Sequence, residues 1–285
     1  MTRFFRDLWR ICRNDKAALF GAAVILAYLV LAIIGRSISH ISTGVPNAAS
    51  AYLSPSWTHP LGTDNLGNGI LAELVVGTRP IMEIGVLAAL ITTFIGVVVG
   101  LVTGYVGGIL DAAVMRVVDV FLTIPGLPLI IVIVSITRAA GPLALAAILS
   151  ITAWAGLARA VRSQALSLRS LDFVESARVQ GLPLRNIIGR QLLPNVGPYV
   201  AINFMLAITG SIYAEIGLFV LGVAPLNGTN WGVMINLAMS QGALYVTKSL
   251  ISLLAPMAAI VLLQVAFVFF TRALDSVFNP RLRVQ

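Results

Sequence analysis

Six apolar runs, each near the roughly 20 residues that a helix needs to cross a hydrocarbon layer of about 30 Å, dominate this 285-residue chain. They lie at 17–34, 84–105, 113–136, 143–157, 200–221 and 250–270. Backbone surrounded by lipid must satisfy its own hydrogen bonds, and one continuous apolar run does so only as a helix. The expected class is therefore all-α, a polytopic membrane protein with six transmembrane helices. Composition agrees, with 58% of residues hydrophobic and 11% charged, against about 25% charged in soluble chains. The run at 143–157 is short, opened by Gly141-Pro142 and closed by Arg159, so tilt or flanking apolar residues must complete it. Pro125-Gly126-Leu127-Pro128 interrupts the third run, which fits either a pivot or a static kink.

A net charge of +8 would suggest nucleic acid in a soluble chain, but in a membrane chain the basic residues orient the helices. If both ends share one side, that side also holds the turn at 107–112 and the segment at 160–195. It then carries Arg3, Arg6, Arg10, Arg13, Lys16, Arg116, Arg159, Arg162, Arg169, Arg178, Arg185, Arg190, Arg272, Arg281 and Arg283, which is 15 of 19 basic residues. Arg36, Arg79, Arg138 and Lys248 remain on the other. This asymmetry predicts both termini in the cytoplasm of a multi-pass protein. The first run exceeds the roughly 7–15 residues of a signal-peptide core, and no small-x-small site follows before Arg36, so it reads as a span. The stretches at 37–80 and 223–249 are then external loops, with Trp57 and Trp231 expected at the membrane interface.

Several chemistries find no support. Cys12 is the sole cysteine, so neither an internal disulfide nor a thiolate metal site is available. His40 and His59 alone make a poor metal site. The nearest approach to a phosphate-binding loop, Gly242 followed by Thr247-Lys248-Ser249, lacks the second glycine, so no ATP site is expected on this chain.

Two acids fall deep within apparent spans, where an unpaired carboxylate is costly. Asp119 stands three residues from Arg116, which fits an ion pair on one helix face or a place at the cytoplasmic edge of the span. Glu215 has no basic residue within two turns, and either lines an aqueous pathway or partner interface or is hydrogen-bonded structurally. Glu83, after Pro80, suits the N-terminus of the second span.

The segment at 160–195 is a polar, basic island between two apolar runs. Arg162, Arg169, Asp172, Glu175, Arg178, Arg185 and Arg190 exclude it from hydrocarbon. Gly181 can end a helix with a positive φ, and Pro183 suits the start of the next, which predicts a helix-turn-helix. Val174, Ala177, Leu184, Ile187, Ile188 and Leu192 give it an apolar side.

This island resembles the EAA loop of permease subunits of binding-protein-dependent ABC importers. Glu175, Ala177, Gly181, Leu193 and Pro194 hold that frame, with Ser176 and Gln191 as departures. His59-Pro60-Leu61-Gly62-Thr63-Asp64, Gly104-Tyr105-Val106-Gly107-Gly108 and Met115-Arg116-Val117-Val118-Asp119 resemble the second permease of the peptide/nickel group. There the first motif usually continues Gly-Arg-Asp, whereas Gly67-Asn68-Gly69 stands here.

The resemblance implies a type I ABC importer transmembrane fold. Residues 1–80 would supply the N-terminus, first helix and external loop, and 81–285 a five-helix core. It also implies a non-catalytic permease for di- or oligopeptides, in the plasma or inner membrane, with oligosaccharides, nickel or another small solute as alternative cargo. Glu175, Ser176, Ala177, Gly181, Leu193 and Pro194 would couple it to ATPases, Asp119 and Glu215 would be pathway or interface candidates, and Pro125, Gly126 and Pro128 pivot candidates. The implied partners are a homologous second permease, two ATP-binding subunits carrying ATP and Mg, an extracytoplasmic binding protein and lipid, with no nucleic acid. A rival class, an ATPase-independent secondary transporter, predicts mid-membrane charges and an internal repeat. Only Asp119 and Glu215 answer the first and no clear repeat answers the second.

Overall fold

α1 (Lys16–Ile38) begins where Asp15 caps it, its carboxylate accepting the N–H groups of Ala17 at 2.8 Å and Ala18 at 3.4 Å. The computed structural model describes residues 15–39, 50–137, 141–225, 228–245 and 249–278. Arg3, Arg6, Arg10, Cys12, Arg13, His40, Pro46, Arg138, Asn227, Thr247, Lys248, Arg281 and Arg283 lie outside the described residues.

α2 (Ile70–Val106) is the longest element, and at 37 residues it reaches about 55 Å. Pro80 and Arg79 mark a start in the sequence, yet the helix runs straight through them, so the boundary expected at residue 80 falls inside α2. Glu83 is therefore not at a helix start; it sits 3.8 Å from Arg79 one turn earlier. The extension is held by packing. Ile70 and Thr78 are buried, and the Trp231 indole donates to the Leu74 carbonyl at 2.9 Å.

After Gly107 and Gly108, both at positive φ, the third apolar run forms α3 (Gly108–Thr123) and α4 (Gly126–Thr137). They meet at 84°, so Pro125 does not kink a straight span but breaks it. α5 (Pro142–Arg169) opens with Gly141 at φ 96° and Pro142 in the first turn. Its 28 residues resolve the shortness of the fourth run, because the helix continues past Leu157 into the arginine-rich segment.

α6 (Asp172–Val179) is followed by one helical turn (Leu184–Asn186), a π-helical segment (Ile187–Leu192) and α7 (Leu193–Val220). α8 (Trp231–Ser240) is short and apolar, and α9 (Leu250–Phe278) closes the bundle. Among the described residues, five helices are long and apolar enough to cross a membrane, or six when the bent α3–α4 pair counts as one.

Without water to drive burial, membrane helices associate by close backbone approach, and small residues mark each seam. A Cβ on Gly100 would lie 2.6 Å from the Ala158 carbonyl, and one on Gly104 2.6 Å from the Ala165 side chain, so α2 and α5 lie side by side and parallel. A Cβ on Gly21 would meet the Ala266 carbonyl at 2.7 Å, closing α1 onto α9. Tyr28 adds a hydrogen bond from its hydroxyl to the Ala259 carbonyl at 3.0 Å. Through these seams the start of α1, the α2–α3 turn, the segment around α6 and the end of α9 gather at one end of the bundle.

The opposite end departs from expectation. Trp231 is no interfacial anchor: it is 1% exposed, wedged between α1 and α2 with its ring edge-to-face to Tyr28 at 5.5 Å. The first half of α8 is buried with it, whereas Met239, Leu244 and Tyr245 beyond are exposed; a tryptophan with a hydrogen-bond partner gains more inside than at a surface. Trp57, by contrast, is fully exposed.

Candidate coupling site

The island forms the helix-turn-helix that its glycine and proline predict. Asp172 and Glu175 fall in the first turn of α6, where negative charge favours the helix dipole. At its far end the Gly181 N–H donates to the Arg178 carbonyl at 3.0 Å and the Leu182 N–H to the Ala177 carbonyl at 3.1 Å. That pair of bonds is a Schellman cap, which needs a positive φ; Gly181 has φ 70°. A Cβ there would meet nothing within 4 Å, so conformation rather than space demands glycine. Pro183 follows, and its carbonyl accepts the Asn186 N–H at 2.8 Å to start the next turn.

One face of this unit is glued to its own bundle. Val174, Ala177, Ile187 and Leu192 are buried against Val97 and Leu101 of α2, Leu157, Val161 and Ala165 of α5, and Val196 of α7. Ile188 packs at the margin, but Leu184, expected on this side, is exposed. The opposite face carries Glu175, Ser176, Arg178, Arg185, Leu193 and Pro194, with Val179 83% exposed among them. The frame residues thus divide: Ala177 lies in the internal seam, Gly181 forms the cap, and Glu175, Ser176, Leu193 and Pro194 face outward.

Arginines tie the unit to the neighbouring helix ends. The Arg178 guanidinium stacks 5.6 Å from the centre of the Tyr105 ring, and Arg169 donates to the Tyr105 carbonyl at 3.4 Å. Arg162 grips Asp111 with two N–H groups, locking the start of α3 to α5. Sequence reasoning missed Asp111; its signal was a lone acid just after a glycine pair at the head of an apolar run. Asp119 pairs not with Arg116 but with Arg159 on α5, because α3 lies against α5 and brings the two groups together across the helices.

Glu215 is 1% exposed inside the bundle. Its Oε1 accepts from Asn230 Nδ2 at 2.8 Å, and Asn230 Oδ1 in turn accepts the Gly232 N–H at 2.8 Å, capping α8. Gly126 stands beside Thr152 at the α3–α4 break, with Pro125 and Pro128 flanking it. Outside the bundle, the Gly-Thr-Asp motif knits its own loop. Thr63 donates to the Ser50 carbonyl at 2.5 Å, and Asp64 Oδ1 accepts the N–H groups of Leu66 at 3.0 Å and Asn68 at 2.7 Å. Among the described residues no three His, Cys, Asp or Glu side chains gather into a metal-binding group.

Residues 96–284 match the family described as binding-protein-dependent transport system inner membrane component. The chain belongs to that family. Residues 3–55 also match the N-terminal transmembrane domain of oligopeptide transport permease C. Similar proteins include the dipeptide transport system permease protein DppC of Bacillus subtilis (strain 168), 31% identical over 82% of this chain and 73% of its own length. A putative peptide permease of Brucella suis is 30% identical over 94% of this chain and 88% of its own. The glutathione transport system permease protein GsiD of Escherichia coli is 31% identical over 98% and 91%. As an inner membrane component, the chain has the type I importer fold and the role of a permease subunit, and the secondary-transporter alternative is not favoured.

Proposed function

We propose that this permease forms half of the translocation path of an ATP-driven importer of short peptides. It works beside a homologous second permease, two ATPases that hold ATP and Mg, and an extracytoplasmic binding protein. Both termini and the α6 unit face the cytoplasm. The observation that carries the reading is the two-faced α6 unit: an apolar side sunk into the bundle and an outward side of mixed charge and apolar surface. A loop built that way converts a push from a soluble partner into movement of helices. Peptide cargo is inferred from the relatives described above, a dipeptide permease, a putative peptide permease and a glutathione permease.

In this reading Glu175, Ser176, Leu193 and Pro194 meet the ATPase, Ala177 transmits the push, and Gly181 sets the shape that docks. The break at Pro125, Gly126 and Pro128 is the joint about which α4 moves relative to α3. Glu215 serves as a strut for α8 rather than lining the path. The test is reconstitution of the whole complex in proteoliposomes. ATP hydrolysis should rise only when the binding protein and a short peptide are both present, and peptide should accumulate inside. Transport without bound ATPases would overturn the proposal.

A further inference from the structure

The motif at 104–108, Gly-Tyr-Val-Gly-Gly, forms the corner between α2 and α3. Gly104 admits α5, since a Cβ there would also lie 2.8 Å from the Arg162 carbonyl. The Gly107 N–H ends α2 by donating to the Thr103 carbonyl at 2.9 Å, and the left-handed φ of 69° at Gly107 and 63° at Gly108 turns the chain into α3. Arg169 fills the space beside Gly107, where a Cβ would meet its Nη1 at 2.7 Å. Between these glycines stands Tyr105, half-buried, its ring packed against the cluster that holds Val174, Ala177 and Leu192.

Tyr105 is gripped from two directions. Arg169 of α5 bonds its carbonyl, and Arg178 of α6 lies over its ring. The α3 that follows adheres to α5 from Trp154 onward: Asp111 is held by Arg162, Val118 is fully buried beside Ala155 and Ala158, and Phe121 meets Trp154 at 5.4 Å. α4, beyond the 84° break, belongs to a separate cluster in which Ile130 and Val134 join Leu145 and Leu149.

We propose that Tyr105 is a positioning residue that fastens the α2–α3 corner to the α6 unit, so that α3 travels with α6 as one body. This rests on the coupling role proposed above. A push on the outward face of α6 then reaches the third span by two routes, the apolar seam at Ala177 and the Arg178–Tyr105 stack. Apolar contact is non-directional, whereas a guanidinium over a ring fixes where α6 lies against the corner. Because Arg178 is exposed, the stack is weak and sets orientation without holding the fold together.

The test uses the complete reconstituted complex on a C12S background, with spin labels at two exposed positions, V179C on α6 and I109C on α3. The distance between the labels should be narrowly distributed and the same with ATP as without it. Tyr105→Leu should broaden that distribution, and peptide uptake should fall about threefold while the ATPases stay bound. Tyr105→Phe keeps the ring and Arg178→Lys keeps the cation, so both should behave as the unmodified complex. R178Q should reproduce Y105L, and the double variant should be no worse than either single one. Independent losses that multiply in the double variant, or a Tyr105→Phe as defective as Tyr105→Leu, would overturn the proposal. If Y105L lowers the thermal midpoint, the exposed change R178Q carries the test alone. Loss of the ATPases from R178Q would assign Arg178 to the docking face and overturn the positioning role. A label distance that changes with ATP in a complex with normal uptake removes the one-body claim alone, whereas an unmodified complex without peptide-stimulated hydrolysis or uptake removes the importer reading itself.

Discussion

At one end of the bundle the chain between α5 and α7 lies on the surface; at the other, the chain between α7 and α9 dives inward as α8. Both are connections between spans, but they solve opposite problems. The α6 unit keeps a charged face exposed, while Val174, Ala177, Ile187 and Leu192 sink into the bundle. α8 buries most of its residues, and the polar groups at its start are bonded internally, Asn230 to Glu215 and Trp231 to the Leu74 carbonyl. The difference separates an exposed charged surface, which the proposed coupling role requires, from a wedge that fixes helix positions.

If that contrast is right, substitutions in the wedge damage folding and those in the α6 unit damage coupling. The largest effect is expected for Trp231→Ala, which empties a buried site and removes the indole's hydrogen bond to the Leu74 carbonyl. It should cost about 3–5 kcal/mol, read as a lowered thermal midpoint of the detergent-purified protein. Next comes Asn230→Ala, which leaves the Glu215 carboxyl without its donor and α8 without its cap, at about 1–3 kcal/mol by the same measurement. Glu215→Gln keeps an oxygen to accept from Asn230 and should be close to neutral, with uptake unchanged; altered uptake with intact assembly would return Glu215 to the pathway.

Gly181→Ala tests the other region. A side chain at φ 70° is strained by about 1–2 kcal/mol although nothing blocks it. The turn should rearrange locally, so that peptide-stimulated ATP hydrolysis falls while the global thermal midpoint moves little. The smallest folding effect belongs to Glu175→Lys, an exposed change expected to stay within about 0.5 kcal/mol. Its consequence should appear as loss of the ATPases on co-purification; normal retention together with normal uptake would end the coupling assignment.

Much of this architecture is legible in the residues because the lipid phase is a severe and uniform solvent. Apolar length alone identified the spans, and Gly181 with Pro183 announced the turn that the Schellman cap then forms. Legibility failed where neighbours overrode local signals. Pro80 reads as a boundary, but Trp231 and the packing of Ile70 and Thr78 carry α2 through it. Asp119 reads as the partner of Arg116, but a helix one layer away supplied Arg159. Trp231 reads as an interfacial anchor in a polar loop, and only the cleft between α1 and α2 shows that it has an interior site.

The sequence by itself determined that this chain spans a membrane and where its polar segment at 160–195 turns. Those features follow from transfer energies and backbone preferences that act on each residue separately. The tertiary structure alone decided which polar groups find each other, how sharply the third span breaks and where α8 lies. Such choices depend on distances between helices far apart in the chain, set here by glycine seams such as Gly100 against Ala158.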